Sequence, residues 1–155
     1  MTNHLDLLEF IASGRFFGLG TNSSRDDVVA VLGPPDDTGM VSKLQPRGTI
    51  FVYGGIELHF GDCDRLAVIH FDYPNLPPAG SDTLSVAPRI VADGLPVAEV
   101  LSACADCDIE LQHLSDDPKR VFRAQSGVCL TFYDPYDPDR TGLAAVSLPL
   151  FDGYP

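Results

Sequence analysis

Residues 49–60 constrain this chain more than any other stretch. Thr49-Ile50-Phe51-Val52-Tyr53 and Ile56-Glu57-Leu58-His59-Phe60 each alternate with the period of a strand, and Gly54-Gly55 between them supplies the positive φ angles of a two-residue hairpin turn. Such a turn pairs Tyr53 with Ile56, Val52 with Glu57, Phe51 with Leu58 and Ile50 with His59. Directly opposed residues share a face. Phe51, Tyr53, Ile56, Leu58 and Phe60 therefore form one strongly apolar face, which helices should cover. Ile50, Val52, Glu57 and His59 form the other, a mixture unsuited to a deep core.

The flanking sequence predicts the helices. Thr2 or Asn3 caps a first helix, with Leu5, Leu8, Ile11 and Ala12 at helical spacing and Gly14 ending it. Ser23 and Ser24, followed three residues later by Asp26 and Asp27, offer an approximate capping box for a second helix through Val28, Val29, Val31 and Leu32. Gly33 supplies the left-handed position after it, and Pro34-Pro35 forbid continuation. Residues 40–44 read as a weaker strand and residues 66–71 as a firmer one. The register of the latter is open, so His70 has no assigned face. Residues 74–88, with Pro74, Pro77, Pro78, Gly80 and Pro88, have the composition of a linker.

The second half of the chain echoes the first. Pro96 at a first helical position starts a helix through Val97, Val100 and Leu101. Residues 109–114 read as a strand, residues 121–123 and 128–132 flank a Ser126-Gly127 turn, and residues 143–148 close the set. A shift of 72 places Val28 on Val100, Gly55 on Gly127, Leu58 on Leu130, Phe60 on Phe132 and Asp62 on Asp134. The same shift sets Asp27 opposite Glu99 and Ile56 opposite Val128. The last strand needs five further residues, and the first helix has no counterpart. The expectation is an α+β fold of two pseudo-repeated units, each a helix followed by an antiparallel meander, sharing one sheet with helices on one face. The units span 1–73 and 89–155 of a single domain, 1–155, joined by the linker 74–88. Hairpin logic in the second half sends Val128, Leu130 and Phe132 inward and Phe122, Ala124, Cys129 and Thr131 outward.

A helix ending in Leu32-Gly33-Pro34-Pro35, preceded by Gly20-Thr21 and Val28 and followed by a hairpin with Tyr53 and Phe60, resembles the helix–helix–three-strand unit of the BamE outer-membrane lipoprotein family. Two such units in one chain are similar to the beta-lactamase inhibitor protein family. That resemblance implies tandem halves forming one sheet, one face of which clasps a protein. Residues 18–72 carry it well and residues 90–148 loosely. The four cysteines, Cys63, Cys104, Cys107 and Cys129, do not follow the inhibitors' paired-disulfide pattern. The matching residues are turn and core residues, so they speak to fold rather than function.

Charge narrows the partners. Twenty-two acidic residues against 10 basic ones give a net charge of −12, which repels nucleic-acid phosphates and anionic membranes and speeds association with a basic protein. With 45% hydrophobic residues the chain can bury a continuous core. Residues 1–12 mix His4, Asp6 and Glu9 into the apolar positions, unlike a secretory leader, so the expected compartment is the cytoplasm and the expected cysteines are reduced.

Candidate chemistry is sparse. Cys104-Ala-Asp-Cys107 has the spacing of a zinc knuckle or redox pair, but no second pair completes four zinc ligands and no thioredoxin-like setting surrounds it. Asp134, Asp137 and Asp139 lack the glycine and bidentate Glu of an EF-hand and read as Asp-Pro turns. No metal or cofactor is expected. The expected function is a cytosolic protein-binding module, an immunity or inhibitor protein that neutralises a basic toxin or enzyme. Its expected contact residues are Ile50, Val52, Glu57, His59, Phe122 and Thr131, with Tyr133, Asp134, Tyr136 and Asp137 from the loop before the last strand. The alternatives are a small-ligand protein or hydrolase-like enzyme using Glu57 and His59, with His70 near, and an assembly factor of the BamE kind. No catalytic residue is assigned, since no nucleophile motif appears.

Overall fold

The computed structural model describes residues 3–42, 45–61, 64–72, 84–87, 96–116, 120–132 and 142–150. In chain order the elements are β1 (Asn3–Asp6), α1 (Leu7–Ser13), α2 (Arg25–Leu32), β2 (Asp37–Ser42), β3 (Gln45–Tyr53), β4 (Ile56–Phe60) and β5 (Leu66–Asp72). They continue with β6 (Leu84–Ala87), α3 (Val97–Asp106), β7 (Leu111–Ser115), β8 (Arg120–Ala124), β9 (Cys129–Phe132) and β10 (Leu143–Pro149). Eight strands form one antiparallel sheet in the order β2-β3-β4-β5-β10-β9-β8-β7. The class is α+β. Each half of the chain supplies a four-stranded meander, and the meanders meet through their last strands, β5 and β10.

The Gly54-Gly55 hairpin has the expected register, from Tyr53 opposite Ile56 to Ile50 opposite His59. Its inner residues Tyr53, Ile56, Leu58 and Phe60 are fully or almost fully buried, and Phe51 nearly so. Burying each such side chain contributes about 1.5–3 kcal/mol. They share a single core with Val28 and Leu32 of α2, Phe10 and Ile11 of α1, Val100 and Cys104 of α3, and Val128, Leu130 and Phe132 from the second meander.

Local signals explain the helices. Ser24 and Asp27 form a full capping box at α2: Ser24 accepts from the Asp27 N–H, and the Asp27 carboxylate accepts from the Ser24 N–H. Hydrogen bonds from Ser24 to the Asp27 carboxylate, the backbone N–H first and the side chain second, hold that carboxyl below the usual carboxylate range. Gly33 ends α2 with φ 81° and ψ −174°, so it is not the left-handed helical residue expected but an extended one with positive φ, a region essentially reserved for glycine. Tyr53 crosses the core to donate its hydroxyl to the Gly33 carbonyl at 2.8 Å.

Four expectations need correction. The first helix does not begin at Thr2 or Asn3: Asp6 is its cap, accepting from the Glu9 N–H, and residues 3–6 are β1. β1 pairs in parallel with β6, and Leu5 and Leu84 are both buried. Thus residues 84–87, inside the span read as a linker, form a strand; the remaining linker residues lie outside those described. Pro96 caps α3 rather than opening it, and the helix starts at Val97.

The fourth correction concerns the second hairpin. Ala124, not Gln125, pairs with Val128, through its N–H to the Val128 carbonyl at 2.8 Å. The loop therefore has three residues, Gln125-Ser126-Gly127, with Gly127 at φ 98° as its last member. That is the common three-residue hairpin, in which a glycine with positive φ follows a turn. One extra loop residue inverts the parity of β8. Phe122, opposite Leu130, and Ala124 point into the core, while Val121 and Arg123 point out. Phe122 packs edge-on against Phe132, with ring centroids 5.8 Å apart, and Ala124 is buried.

Candidate functional site

Five of the residues expected from the sequence to make contacts, Ile50, Val52, Glu57, His59 and Thr131, lie on the face of the sheet opposite the core. Residues directly opposed on neighbouring strands run across it in rows. Val52 on β3 stands opposite Glu57 on β4, and Glu57 opposite His70 on β5. From His70 the row continues through Ser147 on β10 and Cys129 on β9 to Arg123 on β8. A second row holds Ile50, His59, Val68 and Pro149. Val68 is buried yet stands apart from the core cluster, as a residue on this side must.

Glu57 and His59 form the best-defined polar contact on this face. Both project from β4 two residues apart, and the His59 Nε2 lies 2.9 Å from the Glu57 Oε2. The carboxylate is 32% and the imidazole 25% exposed, so the contact is partly shielded from solvent. The His70 ring stands 6.1 Å from that of His59 at an interplanar angle of 64°. Ile50 and Val52 flank the pair from β3, giving a half-buried patch of two aliphatic residues, one carboxylate and two imidazoles.

The other end of the face differs. Arg123 is exposed, and its Nη2 donates to Gln112 Oε1 at 3.3 Å. Burial raises the Cys129 thiol, an effect the Arg123 guanidinium opposes. Thr131 lies opposite Val121 and Ala145. With strands about 4.8 Å apart, three steps separate β4 from β9, placing Thr131 some ~14 Å from the Glu57 patch.

Ile50, Val52, Glu57, His59 and Thr131 are thus on one face, as expected. Phe122 is not among them; it lies inside, stacked on His113 at 5.0 Å and 26°. Tyr133, Asp134, Tyr136 and Asp137 fall outside the described residues. Sequence reasoning placed His70 near the pair but on no face, and missed Ser147 and Arg123. The first two depend on the register of β5, which a bulge between His59 and Phe60 shifts, and the third depends on the length of the second loop.

No family model matches this chain, and neither a curated protein nor a solved structure matches it. Among the described residues no group of three or more His, Cys, Asp or Glu side chains could hold a metal ion, and no helix is long and apolar enough to cross a membrane. A shallow depression of about 620 Å³ lies at the β7–β8 end, lined by Glu110, Gln112, Arg123 and Gln125 among others.

Proposed function

We propose that this chain is a protein-binding module that docks a basic partner on the outer face of its sheet, acting as an immunity or inhibitor protein toward a cognate toxin or enzyme in the cytoplasm. The observation that carries this reading is the eight-stranded sheet itself, whose core cluster lies on one side while Ile50, Val52, Glu57, His59 and Thr131 stand half-buried on the other. A broad face of aliphatic, imidazole and carboxylate groups is of the kind partners use. The net charge of −12 favours a cationic one.

We further read the two meanders as copies of one unit, in the manner of tandem BamE-like repeats. Leu58 and Leu130 are equivalent under a shift of 72 and equally buried, as are Ile56 and Val128. Before the hairpin turn the shift falls to 71, the second loop being one residue longer, and Phe51 then meets Phe122, both facing inward. In the last strands it becomes 77. Under that shift His70 is equivalent to Ser147, the residue it directly opposes, as two residues on a two-fold axis would be. This reading favours an interface built from both halves.

The test is co-expression with the product of the neighbouring gene, followed by measurement of the complex. Glu57→Lys and Thr131→Arg, one on each half of the face, should each weaken it at least tenfold. Asp26→Lys, exposed on α2, should not. Absence of any complex would end the immunity reading, and a complex indifferent to both outer substitutions would move the docking surface elsewhere. A second reading, a hydrolase-like or small-ligand protein, draws support from the 2.9 Å Glu57–His59 contact. It requires a turnover or a bound small molecule that His59→Ala abolishes.

A further inference from the structure

The cysteine pair at the end of α3 plays no part in either functional reading. α3 closes with a Schellman motif: the Ile109 N–H donates to the Cys104 carbonyl at 2.9 Å and the Asp108 N–H to the Ala105 carbonyl at 3.0 Å, with Asp108 at φ 58° in the left-handed position usually given to glycine. Within that motif Cys104 sits three positions before the cap and Cys107 is the cap itself. The Cys107 N–H also donates to the Cys104 carbonyl, at 3.1 Å, which tightens the last turn. Residues three apart in a helical turn have Cα atoms about 5 Å apart. That falls inside the range a disulfide spans.

We propose that Cys104 and Cys107 are a modification site, a dithiol that a low-molecular-weight disulfide such as oxidised glutathione converts to an intrachain disulfide. The two thiols have unequal access: Cys104 is fully buried and Cys107 exposed. Cys107 reacts first. Its thiolate attacks one sulfur of oxidised glutathione, the glutathione S–S bond breaks, and one glutathione leaves as thiolate and takes a proton. Cys104 then loses its proton to solvent and attacks the Cys107 sulfur, expelling the second glutathione. Two protein thiols are oxidised by two electrons, and one glutathione disulfide is reduced to two thiols.

The second step is the slow one. Burial, with the neighbouring Cys107 thiol adding to it, pushes the Cys104 thiol up to about 11. The negative end of the α3 dipole acts in the same sense. Attack needs the thiolate, whose population below that value rises about tenfold with each unit of pH increase. The site is therefore a slow trap, unlike the low-pKa cysteines of oxidoreductases at helix N-termini. Cys129 is an internal control, since its thiol donates to the Gly127 carbonyl at 3.6 Å and lies on the outer sheet face with no described cysteine beside it.

The experiment treats the full chain with oxidised glutathione at pH 7 and pH 9, quenches with acid, and maps adducts and disulfides by peptide mass spectrometry. Wild type should show one glutathione on Cys107, then its loss as a Cys104–Cys107 disulfide appears, the second phase being on the order of a hundredfold faster at pH 9. Cys107→Ser, at an exposed position, should form neither species on α3. An adduct on Cys107 that persists at pH 9 while Cys104 remains alkylatable would overturn the proposal, as would disulfides pairing Cys107 with Cys63 or Cys129 instead.

Discussion

The two central hairpins solve the same problem with loops that differ by one residue. β3–β4 turns through Gly54-Gly55 and β8–β9 through Gln125-Ser126-Gly127, yet both present an apolar row to the same core. In the first, inner residues follow the parity that a two-residue turn dictates. In the second, the extra residue shifts that parity, and the sequence compensates by carrying Phe122 and Ala124 at even positions where the first hairpin carries Phe51 and Tyr53 at odd ones. The inward pattern, not the loop, is what the two regions share. Burial fixes a strand's register, and turn chemistry accommodates it.

The largest expected effects test that common inward row. Leu58→Ala and Leu130→Ala remove fully buried side chains and should each cost about 2–5 kcal/mol in denaturant unfolding. Phe122→Ala should cost about 3 kcal/mol, the lower end for an aromatic, because the ring is half-buried at the sheet's side. Its neighbour Val121→Ala, on the outer face, should cost under about 1 kcal/mol. If Val121 proved the costlier of the two, the three-residue loop and the inverted parity of β8 would both be wrong.

Much of the first hairpin is legible in the sequence because two glycines between alternating runs leave one register open. The second is not, because the same Ser126-Gly127 dipeptide fits two loops, and only the burial of Ala124 and Phe122 chooses between them. β1 and β6 leave no local trace: each is four residues long, their pairing spans some eighty positions, and Leu5 and Leu8 imitate helical spacing as well as they serve a strand and a helix separately. The proposed contact patch is legible as far as the two-residue turn reaches, namely Ile50, Val52, Glu57 and His59. His70 and Ser147 join it through the β5–β10 seam, a contact between chain segments with no turn to declare its register.

A smaller set of effects sharpens how the second hairpin is fastened. Gly14 ends α1 at φ 69°, and a Cβ there would meet the Ser126 Cβ and carbonyl oxygen, each at 3.3 Å. Gly18 has a similar φ, 75°, with open space around it. Gly18→Ala should therefore cost only the backbone strain, about 1–2 kcal/mol. Gly14→Ala should cost more, because Ser126 cannot retreat without breaking its 2.7 Å hydrogen bond to the Ile11 carbonyl. Equal losses in thermal unfolding would mean that α1 does not press on the second turn.

The smallest differences lie in the hydroxyls that tether each turn region to a helix end. Tyr53 donates to the Gly33 carbonyl at the end of α2, and Ser126 to the Ile11 carbonyl within α1. Tyr53→Phe and Ser126→Ala should each cost about 0.5–1.5 kcal/mol at neutral pH. The two tethers part company in alkali. Burial, with the Asp36 carboxylate adding to it, pushes the Tyr53 phenol up to about 12 from its ordinary 10. The folded state thus keeps a proton that the unfolded state releases. The associated stability is fully present below pH 10 and is lost as the pH rises from there through about 12. Wild type and Ser126→Ala should lose stability steeply across that window, whereas Tyr53→Phe should lose less. Parallel pH–stability curves for all three proteins would show that the phenol is not held against ionisation by the core, and that the first hairpin owes its fastening to packing alone.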